Sequence, residues 1–117
     1  MIFVGNDIVE VAKIKRFINE YNDVFLNKVF TQNEQEFCLK RVNPYIHFSG
    51  RFAGKEAIKK ILLQLNDAPI PLKNIEIKRE LNCPPRVFIK NEIYEDINIS
   101  ISHTDNYATA VAILNKK

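Results

Sequence analysis

A chain of 117 residues fits one domain and leaves little room for a second. With 46% hydrophobic and 26% charged residues, three Gly and five Pro, it has the composition of a globular protein, which excludes intrinsic disorder. The net charge of +3 is too small to mark a nucleic-acid binder but suits an acidic partner. No tract is apolar and long enough to span a bilayer, and Met1-Ile2-Phe3-Val4-Gly5-Asn6-Asp7 lacks the basic and apolar regions of a signal peptide. The expectation is therefore a cytoplasmic protein with no membrane segment. Cys38 and Cys83 are far apart and without zinc-ligand spacing, so two reduced thiols are expected.

In chain order, Ile2-Phe3-Val4 reads as a short buried strand ending at Gly5-Asn6-Asp7. Val11, Ile14, Phe17, Ile18 and Tyr21 recur at helical spacing and predict a helix over residues 9–21, with Lys13, Lys15 and Arg16 on its solvent side. After a connecting stretch that includes Phe25 and Phe30, Thr31-Gln32-Asn33-Glu34 has the form of a capping box opening a short helix. That helix should end before Asn43-Pro44, because proline disfavours α geometry in the residue before it. Ser49 is the expected N-cap of the longest helix, over residues 49–65, with Phe52, Ile58, Ile61, Leu62 and Leu65 inward and Asn66-Asp67-Ala68-Pro69 as the stop.

From Pro71 onward the period changes to two. Ile75 and Ile77 alternate with Glu76 and Lys78, Val87 and Ile89 follow a proline-rich turn, and Ile97, Ile99 and Ile101 alternate with Asn98, Ser100 and Ser102. A last strand, residues 107–114, follows the polar link Thr104-Asp105-Asn106. Helices fill the first half and strands the second. The expected class is α+β, helices packed on a mostly antiparallel sheet.

Three places hold polar residues that such a fold does not need. Asp7 stands between strand and helix, where an ordinary Asp is a cap or turn residue. In Gly50-Arg51-Phe52-Ala53-Gly54-Lys55-Glu56-Ala57-Ile58-Lys59-Lys60, Arg51, Lys55 and Lys59 form one stripe and Glu56 and Lys60 another. The ordinary reading is a solvated charged face. Against it, Gly50 and Gly54 cost about 1 kcal/mol each inside a helix, and glycine beside basic residues near a helix start admits a phosphate group. The third place is Ser100-Ile101-Ser102-His103-Thr104, where a strand delivers His103 to its end, a rigid mount for a catalytic imidazole. His47, beside Pro44-Tyr45-Ile46, reads as an ordinary surface or core histidine. Two carboxylates among basic residues match the needs of phosphoryl transfer: a hard divalent cation, a clamp for the remaining phosphates and a base for the attacking hydroxyl.

These residues resemble the holo-acyl-carrier-protein synthases, small single-domain 4′-phosphopantetheinyl transferases. Three motifs match in order and spacing over essentially the whole chain: Gly5-Asn6-Asp7-Ile8-Val9-Glu10, Gly50-Arg51-Phe52-Ala53-Gly54-Lys55-Glu56-Ala57, and Ser100-Ile101-Ser102-His103-Thr104. The resemblance implies the 4′-phosphopantetheinyl transferase fold. It also implies transfer of 4′-phosphopantetheine from coenzyme A to a serine of acyl carrier protein, in support of fatty acid biosynthesis. Asp7 and Glu56 are then the Mg²⁺ ligands and His103 the base for the acceptor serine. Arg51 and Lys60 face coenzyme A phosphates or the carrier, and Thr104 lines the nucleotide pocket. Lys13, Lys15 and Arg16 fit the docking surface for the acidic carrier, and the family's homotrimer, with sites between subunits, is implied as well.

Two departures stand out. Gly54 replaces the usual small side chain, and Asn82-Cys83-Pro84-Pro85-Arg86 lacks the family's Gly-Lys-Pro turn, leaving Arg86 as the candidate substitute charge at the nucleotide end. Two rival readings differ in class or acceptor. One is a small basic module for RNA or an acidic protein, using Lys13, Arg16 and the basic residues of 55–60; the other acts on a carrier domain of a polyketide or peptide synthase.

Overall fold

A computed structural model describes residues 1–80 and 82–116. Strand β1 (Ile2–Glu10) is followed by helices α1 (Val11–Val29), α2 (Gln32–Leu39) and α3 (Pro44–Gln64). A 3-10 turn over Leu72–Asn74 leads into β2 (Ile75–Lys78), β3 (Arg86–Ile89), β4 (Glu92–Ile93), β5 (Ile97–His103) and β6 (Tyr107–Asn115). The strands form two antiparallel three-stranded sheets, ordered β1-β6-β5 and β2-β3-β4. The α+β expectation therefore stands, with two small sheets in place of one.

Several local expectations change. The first strand runs on to Glu10, so Asp7 is a strand residue and not a helix cap; pairing with the whole length of β6 carries the backbone through Gly5-Asn6-Asp7. Ile2 and Val4 are 64% and 51% exposed, because this strand alternates and turns them away from α3. The first helix is longer than residues 9–21, but its backbone breaks at Asn22 (φ 47°, ψ −125°), one residue past the expected end, and resumes to Val29. Ser49 is not an N-cap. The longest helix begins with Pro44 at its first turn, where the missing N–H costs nothing, and the Ser49 hydroxyl donates to the Tyr45 carbonyl inside it. The capping box is present in full: Thr31 Oγ1 accepts from the Glu34 N–H, and Glu34 Oε1 accepts from the Thr31 N–H.

The helix α3 lies on the β1-β6-β5 sheet. Opposed residues of paired strands share a face, so Gly5, Asp7 and Val9 line up with Ala112, Ala110 and Ala108, and these with Ile99, Ile101 and His103. The small residues Gly5, Ala108, Ala110 and Ala112 lower that face and let the helix backbone come down onto it. A Cβ at Gly5 would stand 1.9 Å from the Ala57 carbonyl oxygen. A Cβ on Gly50 or Gly54 would run into Ile101 or Ile77, so both glycines serve the close approach of the helix to the strands. Ile14, Phe30, Phe48, Ile58, Ile61, Ile75 and Val87 fill the core between α3, the other helices and the second sheet.

Gly5→Ala should thus be the costliest small change in the sheet. The obstacle is backbone, so a loss of about 3 kcal/mol, at the top of the usual range for overpacking, is expected in urea denaturation. Gly50→Ala meets one side-chain methyl, Cγ2 of Ile101, 2.9 Å away, rather than backbone, and gains about 1 kcal/mol of helix propensity, so its net effect should be smaller.

Candidate active site

The polar residues of α3 divide between its two flanks. On the β1 side, Glu56, Lys60 and Gln64 succeed one another every four residues. Gln64 Nε2 donates to the Val4 carbonyl at 2.8 Å, and Lys60 Nζ donates to the Asn6 carbonyl at 2.7 Å and to Asp7 Oδ1 at 3.4 Å. Four helical residues advance about 6 Å and two strand residues about 6.8 Å, so the two elements keep step. The next pair in this register sets Glu56 beside the Asp7–Val9 segment. Asp7, on the sheet face toward α3, is half-buried and Lys60 about half exposed, so their ion pair is a weak surface contact.

The expected metal ligands on this flank are the two carboxylates of Asp7 and Glu56. Among the described residues no group of three or more His, Cys, Asp or Glu could hold a metal ion. Two carboxylates with a solvent-facing side suit Mg²⁺, which keeps several waters and takes substrate phosphate oxygens as its remaining ligands. The Lys60 ammonium already rests against Asp7, so the locus accepts positive charge.

The other flank is a cleft of about 260 Å³ lined by His47, Gly50, Arg51, Arg79, Pro85 and His103, among others. Arg51 is only 5% exposed, and among the described residues its Nε and Nη2 find no hydrogen-bond partner. Its guanidinium lies over the Phe37 ring, 4.5 Å from the centroid. Burial lowers Arg51 from the ordinary arginine value, and Arg79 and Arg41 press the same way; it stays a cation regardless. A buried donor without a partner costs about 1–3 kcal/mol, more when charged. Such a group in a cleft wall has donors to offer an anion. The His47 and His103 rings meet edge to face with centroids 6.1 Å apart. Burial and then the charge of His103, with Arg51, Arg41 and Arg79 behind it, hold His47 below the ordinary histidine value.

Between the flanks, Lys55 is wholly buried and paired with Glu34 of α2 at 2.5 Å. Burial lowers its pKa while Glu34 pulls it back up. The second oxygen of Glu34 accepts the Ile77 N–H at 2.9 Å, and Thr31 donates its hydroxyl to Glu76. This network ties α2, α3 and β2 together one turn below Arg51. It also breaks the basic stripe: Arg51 and Lys55 are buried, which leaves Lys59 and Lys60 as the cations of residues 51–60 that reach solvent.

The expected site residues thus fall into two groups. Asp7 and Lys60 meet, with Glu56 next in register; Arg51 and His103 meet in the cleft. Within one chain the groups lie apart: His103 pairs with Ala108, which pairs with Val9. That is roughly 10 Å across the sheet, with Asp7 roughly 7 Å further along it. Thr104 does not line the cleft; its hydroxyl accepts the Asn106 and Tyr107 N–H groups and closes the hairpin that follows His103. Sequence reasoning missed His47 and Arg79. His47 carried a usable signal, since it sits four residues before Arg51 and so on the same helix stripe. Arg79 carried none, because its place depends on the second sheet meeting the first.

Comparisons with known proteins identify the chain's relatives. The model of the 4′-phosphopantetheinyl transferase superfamily matches residues 3–112. The holo-[acyl-carrier-protein] synthase of Chlamydia felis is 43% identical over 97% of this chain and 96% of its own length. That of Protochlamydia amoebophila is 42% identical over 94% of each. In structure, the ACPS–CoA complex of Chronobacterium ammoniagenes aligns with a TM-score of 0.84 over 100% of this chain and 98% of its own, at 23% identity. The Helicobacter pylori holo-[acyl-carrier-protein] synthase in complex with coenzyme A aligns at 0.80 over 97% and 100%, at 24% identity.

The depressed His47 pKa has a consequence for stability. Above about pH 6.5 the imidazole is neutral in the folded and unfolded chain alike and contributes nothing. Below it the unfolded chain takes the proton first, so the folded state loses stability until the pH falls through the lower folded value. His47→Phe should therefore show a shallower fall in melting temperature than the native chain between about pH 7 and pH 5. Equal slopes would mean that His47 does not feel the surrounding cations.

Proposed function

Because the chain belongs to the 4′-phosphopantetheinyl transferase superfamily, we propose that it moves 4′-phosphopantetheine from coenzyme A onto a serine of apo-acyl carrier protein, yielding holo-acyl carrier protein and adenosine 3′,5′-bisphosphate. The observation that carries this reading is the near full-length likeness to holo-[acyl-carrier-protein] synthases, with the matched polar residues gathered on the two flanks of one helix. The serine oxygen attacks the β-phosphorus of coenzyme A as the bond to the bridging oxygen breaks. The serine proton goes to a base, and the bisphosphate leaves with the bridging oxygen.

Each residue has a part. Asp7 and Glu56 would hold Mg²⁺, which when bound would supply positive charge to the pyrophosphate and the leaving group. Lys60, which rests against Asp7 at 3.4 Å, is the cation on this flank for a coenzyme A phosphate. Arg51 holds phosphate in the cleft, and its burial strengthens that contact by excluding competing water. His103 takes the serine proton, directly or through water. Thr104 fixes the turn that keeps His103 at the end of β5.

One chain separates His103 from Asp7 and Glu56, so the proposed site is shared between copies, and the proposed assembly is a homotrimer. Supporting this, the sheet face turned away from α3 leaves Ile2, Val4, Ile8, Tyr107, Val111 and Ile113 at 39–64% exposure, a contiguous apolar surface of the kind that subunit contacts cover. Lys13, Lys15 and Arg16 are exposed on α1 and offer an acidic carrier a complementary surface that speeds encounter. Among the described residues no helix is long and apolar enough to cross a membrane; a cytoplasmic enzyme serving fatty acid biosynthesis is the proposed setting.

Incubation with coenzyme A, Mg²⁺ and apo-acyl carrier protein should add one phosphopantetheine to the carrier, read by mass spectrometry. No gain with any carrier overturns the reading. Asp7→Asn and Glu56→Gln should each lower transfer by about 100-fold or more, the scale set by losing one electrostatic partner of the transition state. Their melting temperatures should stay close to that of the native chain, because neither side chain belongs to the core.

A further inference from the structure

Where α2 meets α3, two buried cations of α3 receive partners of different kinds. Glu34 and Phe37 stand three residues apart on α2 and share one side of it. Lys55 and Arg51 stand four apart on α3 and do the same. Glu34 pairs with Lys55 at 2.5 Å, and the guanidinium carbon of Arg51 lies 4.5 Å from the centroid of the Phe37 ring. One step up α2 therefore matches one step down α3, and each cation finds its partner in the same register. Lys55 meets a carboxylate; Arg51 meets a ring. Among the described residues Arg51 enters no ion pair, although it is buried and its Nε and Nη2 find no hydrogen-bond partner.

The two kinds of partner have different consequences. A carboxylate engages a guanidinium through the N–H groups that an anionic substrate needs, often two at once. An aromatic ring attracts the delocalised charge through its quadrupole and occupies no N–H. Phe37 thus restrains Arg51 and leaves its donors to a ligand. The ring is itself held: it is half-buried against the core, and the His47 ring stands edge to face with it, centroids 6.2 Å apart. A second guanidinium, that of Arg41, lies 4.0 Å from the Phe37 centroid, and Arg41 Nε donates to the Phe37 carbonyl at 3.2 Å. Arg41 is exposed, so its contact with the ring is the weaker of the two. An arginine that is loose before binding loses rotamer freedom when it grips a ligand. Arg51, held on the ring, has already lost it on folding.

We propose that Phe37 is a positioning residue for the transfer reaction: its ring holds the Arg51 guanidinium in place of a counter-ion, so that Arg51 meets the anionic substrate already oriented and with its donors unoccupied. The identity of that substrate rests on the transferase reading. Phe37 acts through Arg51 and supplies no group of its own to the ligand.

The test is a double-mutant cycle on Phe37→Leu and Arg51→Met, with Phe37→Tyr as the conservative variant. Two quantities are read: binding of adenosine 3′,5′-bisphosphate by calorimetry, and transfer from coenzyme A to apo-acyl carrier protein. Phe37→Leu keeps an apolar side chain against the core and removes the ring. It should weaken bisphosphate binding and raise KM for coenzyme A about fivefold, the scale of immobilising one flexible side chain, with kcat little changed. Phe37→Tyr, which keeps the ring, should match the native chain in both. In the Arg51→Met background, Phe37→Leu should change neither quantity by more than about twofold. If the leucine variant unfolds, Phe37→Met, which fills more of the ring's volume, gives the same comparison. An equal loss in both backgrounds, a loss in Phe37→Tyr as large as in Phe37→Leu, or coupling to Arg41→Met in place of Arg51→Met overturns the proposal. A native chain that shows the coupling in bisphosphate binding yet transfers nothing to any carrier refutes the transferase reading alone. One that transfers without the coupling refutes the role of Phe37 alone, and one that binds neither the bisphosphate nor coenzyme A refutes both.

Discussion

The seating of α3 on the β1-β6-β5 sheet governs the rest of this molecule. It depends on a floor of very small residues, Gly5 with Ala108, Ala110 and Ala112, and on Gly50 and Gly54 on the helix itself. The closest point is the Ala57 carbonyl, which occupies the space that any side chain at position 5 would fill. A helix held this low presents one polar stripe to each side at the level of the sheet. On one side Gln64 and Lys60 reach the carbonyls of Val4 and Asn6, with Glu56 one helical turn further along the same flank; on the other Arg51 and His47 look across at His103.

Charge is handled differently on the two sides. The Lys55–Glu34 pair is fully buried and its carboxylate is satisfied by backbone donors of α2 and β2. Removing one partner of such a pair costs far more than the pair itself contributes, so the network specifies how α2, α3 and the second sheet fit together. Arg51, one turn away, is buried without that compensation. The same helix therefore holds a paired cation as a structural anchor and, in the proposed reaction, an unpaired one as a phosphate receptor. Asp7 and Glu56, at the more open β1 seam, keep a side free for a solvated metal and its phosphates in the proposed reaction.

Much of this was legible from residues alone, and what was not has physical causes. The capping box at Thr31 and Glu34 was readable because it is a local interaction of fixed spacing, and the β5 alternation ending at His103 because one face of that strand is wet. Asp7 misled because Gly5-Asn6-Asp7 looks like a turn, whereas the long β6 keeps the backbone extended through it. Ser49 misled because Pro44, read as a stop, starts the helix. The stripe of Arg51 and Lys55 looked solvated since periodicity cannot report that α2 and β2 cover it. Arg79 and Arg86 were indistinguishable in sequence; Arg79 lines the cleft because the second sheet meets the first there. The separation of His103 from the two carboxylates likewise depends on strand order, with β6 between β1 and β5.

That separation makes the shared site the central claim, and complementation between dead variants tests it most directly. Asp7→Asn and His103→Ala chains, each with little transfer activity alone, are unfolded together and refolded as a mixture. If Asp7 of one copy works with His103 of its neighbour, random assembly leaves about a quarter of the sites with both native residues, and transfer recovers to about that fraction of the native rate. If both residues served one chain, no site in the mixture would be intact, and activity no higher than that of the separate variants would contradict the shared site.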